Sequence, residues 1–443
     1  MRVASNCPTT MLSHLLRKAV QLEPGETRAT LTSFGFVFVL MAGYYILRPV
    51  RDAMASDWSD AEVSWLWTLN FFISAAVVSL YGAAVSTVRF RRLVPSVYGF
   101  FALSFVVFYA GTQAVTNREL VDKAFYVWIS VFSLFHISVF WSFMADLFSR
   151  QQSVRLFGFI GAGASTGALL GPTLPALFVG SIGTDTLILV AALLLALTLP
   201  VILFLQVLPR ANGGQPESGA LHSNPLGGNP LGGFMDFVRS PYMLAIGVFI
   251  LLYTSLSSFI YFELKNLLAE YSREERTQIW ATMDLIVNTL TIVTAIFFTG
   301  RIATRFGLGA TLASVPFLIS AGMLTVAAAP SLLVVVGLQI LRRAGNYAIT
   351  RPGREMLFTA VDRETRFKTK PVIDIVVYRG GDTLNAWAFT GLTQGLGLGL
   401  GAVALVGAVI AAIWGLTGLY LGGMFKRQDI PEDSQAAATP SSQ

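Results

Sequence analysis

A chain of 443 residues that is 54% apolar and only 13% charged carries far more hydrocarbon than a soluble protein of this length needs, so its solvent is lipid. The net charge of +6 is no argument for nucleic acid, because in a membrane protein the location of charges matters more than their sum. A single cysteine, Cys7, excludes an intrachain disulfide, so the fold must hold by packing.

Residues 1–30 lack the apolar core of a secretory signal and contain Arg17, Lys18 and Arg28, so they read as a retained cytoplasmic tail. Within it, "MLSHLLRKAVQL" predicts a short amphipathic helix lying on the membrane surface. A membrane span takes about 20 apolar residues. Apolar runs predict spans near 31–50, 61–87, 93–115, 124–146, 157–179 and 185–207, then near 241–262, 278–299, 308–329, 331–350, 371–392 and 400–424. The expected fold is therefore an all-α integral membrane protein with about 12 transmembrane helices in two six-helix bundles, 31–207 and 241–425. Between them, 208–240 contains "PRANGGQPESGALHSNPLGGNPLGG", whose Gly, Pro, Ser and Asn predict a flexible cytoplasmic linker. Residues 426–443 form a second cytoplasmic tail. With the N-terminus inside, 23 of the 31 Lys and Arg fall in cytoplasmic segments, eight of them in 342–370, which puts both termini in the cytoplasm.

Ionisable residues inside a span are costly and so are functional candidates. The first span ends in "YYILRPVRDAM", where Arg48 and Arg51 share a helix face and Asp52, at i+4 from Arg48, is placed to pair with it. Two readings stand: arginines snorkelling to the interface, or a positive surplus suited to an anion. The fourth span carries His136 and ends in Asp146, with Arg150 and Arg155 following, which suits an interfacial ion pair or a gate. Gly163, Gly167 and Gly171 put a flat face on the fifth span for close helix contact. On the eighth span Asp284 and Asn288 are one turn apart. The segment "RRAGNYAITRPGREMLFTAVDRETRFKTKPVIDIVVYRGGD" is basic, contains the breaker pair Pro352-Gly353, and carries Lys368, Lys370, Asp374, Arg379 and Asp382 into the eleventh span.

The second span ends in "YGAAVSTVRFRR" and the eighth in "FFTGRIATRFG", each a glycine followed by a basic turn. This echo resembles the major facilitator superfamily, whose two six-helix halves rock about a central site. More specifically, the chain resembles the nucleotide transporters, the ATP/ADP translocases of plastids and intracellular bacteria. Their first-span pattern Leu-Arg-x-x-Lys-Asp matches at Leu47, Arg48 and Asp52, with Arg51 for the lysine. Their Phe-Trp-x-Phe-Ala-Asn-Glu matches at Phe140, Trp141 and Phe143, with Asp146 for the glutamate. Tyr347, Pro352, Arg354, Glu355, Met356, Lys368, Lys370 and Asp374 follow the family's later series in order. The family's Gly-Lys pair in the eleventh span stands here as Gly381-Asp382, a reversal of charge. The resemblance implies transport of a nucleotide or phosphorylated small molecule, commonly by exchange. Arg48, Arg51, Arg379 and Asn288 are then the substrate-binding candidates. Asp52, Asp146, Asp284, Arg354, Glu355, Lys368, Lys370, Asp374 and Asp382 are the coupling or gating candidates.

No Ser/His/Asp set, metal-ligand cluster or cofactor motif is apparent, so the expectation is a transporter and not an enzyme, needing no cofactor and no metal. The expected setting is a monomer in the lipid bilayer of a bacterial inner membrane, binding no nucleic acid. Two rivals remain open: a proton-coupled transporter of another organic solute using Asp146, Asp284 or Asp382, and a non-transporting receptor or assembly platform.

Overall fold

The computed structural model describes residues 23, 25–87, 90–208, 232–294, 300–361, 369, 373 and 377–428. Cys7, the 11–22 segment, Lys368, Lys370, Asp374 and most of the two segments 208–240 and 426–443 lie outside the described residues. Among the described residues there is no strand. Helix suits lipid because each segment satisfies its own backbone N–H and C=O groups.

The helices, in order, are α1 (Thr27–Met54), α2 (Asp60–Thr87), α3 (Phe90–Ala114), α4 (Arg118–Leu147), α5 (Arg150–Leu170), α6 (Thr173–Ile182) and α7 (Thr184–Val207). After the linker come α8 (Gly232–Arg239), α9 (Pro241–Leu267), α10 (Arg273–Thr294), α11 (Gly300–Ala328), α12 (Leu332–Gly345), α13 (Arg351–Leu357), α14 (Tyr378–Thr390) and α15 (Leu400–Gln428). Among the described residues nine helical stretches are long and apolar enough to cross a membrane. The other three predicted spans fall on α2, α10 and α14. Of these, α10 is made less apolar by Gln278, Asp284 and Asn288, and α14 is short, with 13 residues.

The chain forms two compact units. The first is drawn from Met1–Met54, Phe72–Leu226 and Arg273–Leu285, the second from Ala55–Phe71, Gly227–Ser272 and Ile286–Gln443. Both α2 and α10 therefore contribute one part to each unit.

In the first unit α1 packs on α4, α5 and α7. The predicted flat face of α5 is what admits α1: a Cβ on Gly163 would lie 2.6 Å from the Phe34 carbonyl oxygen and one on Gly171 2.7 Å from that of Ala42, and Gly167 abuts the Phe38 carbonyl between them. Glycine at every fourth residue thus lets two backbones touch over successive turns. Ser149 starts α5 with a capping box closed by Gln152. Phe36, elsewhere on α1, packs edge-on to Tyr98 and Phe140, with ring centroids 5.5 and 5.1 Å away.

The second unit is built the same way around α11 and α15. Gly422 sits against the Cα of Gly309, and Gly418 against the backbone of Leu312. Trp414 of α15 is fully buried beside Phe249 and Tyr253 of α9, at centroid distances of 5.4 and 5.7 Å.

Two sequence expectations need correction. Inside the 208–240 linker, Gly232–Arg239 is helical, because Phe237 is buried against Gly247 of α9. The tenth span, expected over 331–350, runs through Leu332–Leu357. Pro352 does not stop it, since the π-turn before it, in which the Arg351 N–H reaches the Asn346 carbonyl, changes the hydrogen-bond register at the proline. A π-helical segment, Asn346–Thr350, joins α12 to α13. Arg342 and Arg343, counted as cytoplasmic charges from sequence, are instead buried inside the span, 4% and 2% exposed.

Candidate substrate-binding site

In the first unit the last turns of α1 gather the predicted charges. Arg51 donates from Nε and Nη2 to Asp52 Oδ1, at 2.9 and 2.6 Å. Its Nη1 donates to Ser130 Oγ of α4 at 3.5 Å, and its guanidinium lies 5.6 Å from the Tyr126 ring centroid. Arg48 is ion-paired more loosely, 3.8 Å from Asp52 Oδ2 and 3.8 Å from Asp284 Oδ1 of α10. Asp52 and Asp284 are 3% and 1% exposed, so neither is a surface anchor.

Two features of this cluster differ from the sequence reading. Arg48 pairs with Asp52 as expected, at 3.8 Å, but the shorter contact of Asp52 is with Arg51, whose long side chain folds back on its neighbour. The expected positive surplus is also gone: Asp284 arrives from another helix, so among the described residues of this cluster two arginines face two carboxylates. Asp284 could not be assigned to this group from sequence, since about 230 residues separate it from Arg51.

His136 is buried and stacked on Tyr44 with ring centroids 4.4 Å apart, as a packed aromatic would be. Asp146 is exposed near the end of α4. Of its two expected partners, the Arg150 side chain lies outside the described residues, and Arg155 is engaged with Glu26 Oε1 at 2.9 Å and Glu23 Oε1 at 3.2 Å. Glu26 precedes the first span, and its carboxyl is held below the usual glutamate range. Burial alone would raise it, but the Glu23 N–H, Arg155 and Gln152 all donate to it and prevail.

The remaining described candidates belong to the second unit. Asn288 is 8% exposed on α10. Arg354 and Glu355 pair with each other on α13 at 3.3 Å. On α14, Arg379 and Asp382 are partly exposed, and Asp382 lies near Arg379 and Arg342. A Cβ on Gly381 would come 2.6 Å from Thr254 Oγ1, so that glycine seats α14 on α9 beside Asp382.

Several buried charges escaped the sequence reading because they sit at or just outside the ends of the predicted spans. Lys265, 1% exposed, pairs with Asp60 at 3.0 Å and donates to the Trp58 carbonyl at 2.8 Å. Glu263 is fully buried on the same helix. At the start of α4, Asp122 holds Arg273 of α10 at 2.8 Å and Arg118 at 3.8 Å, and Arg118 also pairs with Asp185 of α7. The available signal was Glu or Lys immediately flanking an apolar run, which also marks an ordinary span end.

Among the described residues no group of His, Cys, Asp and Glu could hold a metal ion. The arrangement is one of compensated charge within helices.

Comparison with known proteins gives the family. The chain is 22% identical over 94% of its length to ADP,ATP carrier protein 1 of Chlamydia pneumoniae, covering 96% of that protein. A mutant of the nucleoside transporter NupG superposes with a TM-score of 0.60 at 14% identity, over 91% of this chain and 100% of that one. A bacterial homologue of the human lysosomal transporter Spinster superposes with a TM-score of 0.59 at 15% identity, over 93% of this chain and 99% of that one. The model of the Major Facilitator Superfamily matches residues 33–354, so this chain belongs to that superfamily and is a membrane transporter.

Proposed function

We propose that this transporter moves an anionic nucleotide or a related phosphorylated metabolite, by exchange and alternating access. The observation that carries the reading is the arginine pair of α1, held inside a span by two buried carboxylates. Such a site can give up a carboxylate contact for a phosphate one. The extended likeness to a protein named as an ADP,ATP carrier supports the same class of substrate.

In this reading Arg51 contacts phosphate, its planar fork matching two oxygens at once, and Arg48 assists. Asp52 and Asp284 occupy the guanidiniums when substrate is absent, since an unpaired charge in a low-dielectric site is costly. Phosphate oxygens then replace like with like, and the exchange of one anion for another leaves the arginines neutralised throughout. Arg379 and Asn288 serve the second unit, Asp382 tempers Arg379, and Asp146, Arg354, Glu355, Lys368, Lys370 and Asp374 act in gating. Both termini face the cytoplasm of a bacterial inner membrane, and the protein works as a monomer of two bundles, 31–207 and 241–425.

Uptake of labelled nucleotides into proteoliposomes, with and without nucleotide or phosphate inside, tests this. Accumulation that needs an internal counter-anion and is abolished by Arg51→Gln is expected. If no nucleotide or phosphate ester accumulates, the reading is wrong.

One observation favours a second reading, proton-coupled transport. Glu263 is fully buried in a span, and neither carboxylate oxygen has a hydrogen-bond partner among the described residues. Uptake driven by a pH gradient, lost in Glu263→Gln and indifferent to Arg51→Gln, would select it.

A further inference from the structure

The second unit holds a buried guanidinium whose placement differs from that of Arg48 and Arg51. Arg342 lies ten residues into α12, and at 1.5 Å per residue this is about 15 Å from the start of the span, near the middle of a hydrocarbon core roughly 30 Å thick. It is 4% exposed. Its hydrogen bonds among the described residues go to neutral groups: Nε donates to Gln339 Oε1 at 3.0 Å, and Nη1 to Ser257 Oγ at 2.9 Å and Tyr253 OH at 3.5 Å. The Tyr253 hydroxyl also accepts from Asn346 Nδ2 at 3.1 Å, so α9 fixes the Arg342 head from one side. Nη2 has no hydrogen-bond partner among the described residues.

Among the described residues no ion pair joins Arg342 to a carboxylate. Asp382 of α14 lies near Arg379 and Arg342 without closing to contact with either. Placing a cation at mid-membrane with a neutral cradle and a nearby carboxylate is unfavourable unless something anionic completes it. Directly after Arg342 the helix passes into the π-turn Asn346–Thr350, a widened geometry that recurs at functional positions.

We propose that Arg342, with Arg379, is a phosphate-binding site of the second unit, with Tyr253, Ser257 and Asn346 positioning the guanidinium. This deepens the nucleotide reading and rests on it for the identity of the substrate, but the site itself is defined by phosphate chemistry. A guanidinium whose Nε and Nη1 are already committed presents its Nη2 edge to the ligand.

The test is equilibrium binding to the purified full-length protein in detergent, with pyrophosphate, adenosine, AMP, ADP and ATP as probes. Wild type is expected to bind pyrophosphate, and to bind the nucleotides more tightly as phosphates are added. Arg342→Gln should weaken ADP, ATP and pyrophosphate by about tenfold or more, the scale of a lost charge-assisted contact, with Arg342→Lys between the two. Asp382→Asn removes the competing carboxylate, so it should tighten all three, whether or not Arg342→Gln folds. Pyrophosphate binding that is unchanged by both Arg342→Gln and Asp382→Asn overturns the inference, as does an equal loss for adenosine and ATP. Wild type that binds pyrophosphate in an Arg342-dependent way, but no nucleotide, keeps the site and overturns the nucleotide reading instead.

Discussion

The two units handle buried arginine differently. In the first, Arg48 and Arg51 face Asp52 and Asp284, and each of the two guanidiniums has a carboxylate within 3.8 Å. In the second, Arg342 is bound by a hydroxyl, a phenol and an amide, and among the described residues no carboxylate closes on it. Each arginine of the first cluster has a carboxylate at hand, whereas the Arg342 site is the one proposed to take an added negative charge. The frameworks that carry them are alike, with a glycine stripe on α5 against α1 and another on α15 against α11. Similar packing can therefore hold opposite electrostatics.

The largest effect is expected from breaking the self-contained cluster. Asp52→Asn removes the carboxylate that binds Arg51 at 2.6 Å, and loss of one partner from a buried pair costs about 3–5 kcal/mol. Thermal unfolding in detergent should show a large drop, and the double variant Arg51→Gln with Asp52→Asn should recover much of it. Arg342→Gln, whose partners are neutral, should cost far less stability while weakening anion binding. Equal destabilisation by the two single variants would erase the distinction between the units.

The likeness of the frameworks is tested by Gly167→Ala and Gly422→Ala. Each added methyl meets the backbone of a partner helix, and overpacking of this kind costs about 1–3 kcal/mol. Both variants should lower the unfolding temperature by comparable amounts. A loss confined to one unit would show that only that unit depends on its stripe.

The smallest effect concerns Glu26, which ties the entry of α1 to Arg155. Its folded carboxyl titrates below the ordinary value of 4.5, so the charged form contributes stability above that pH. The contribution falls away as pH drops through the folded value. Glu26→Gln should leave unfolding unchanged in the acid limit, lower stability near neutral pH, and flatten the dependence between. A wild-type curve already flat across roughly pH 3–6, where carboxylate linkage acts, would rule this out.

Much of the architecture follows from local pattern alone. Twelve apolar runs broken by polar turns specify helices, because lipid leaves an isolated span no other way to satisfy its backbone. Gly163, Gly167 and Gly171 announced a contact face, since spacing by four is a property of one helix. Arg48, Arg51 and Asp52 were legible as a group for the same reason. What only the tertiary structure decided is the company these residues keep. Asp284 neutralises the α1 pair from a helix distant in sequence, and Glu26 takes Arg155 away from Asp146. Arg342 was counted with the positive-inside charges of 342–370. It proves to be buried inside a candidate span because the chain stays helical through a π-turn to Leu357. Helix periodicity is written in neighbouring residues, whereas charge balance in a low-dielectric interior is a sum over whatever helices packing brings near.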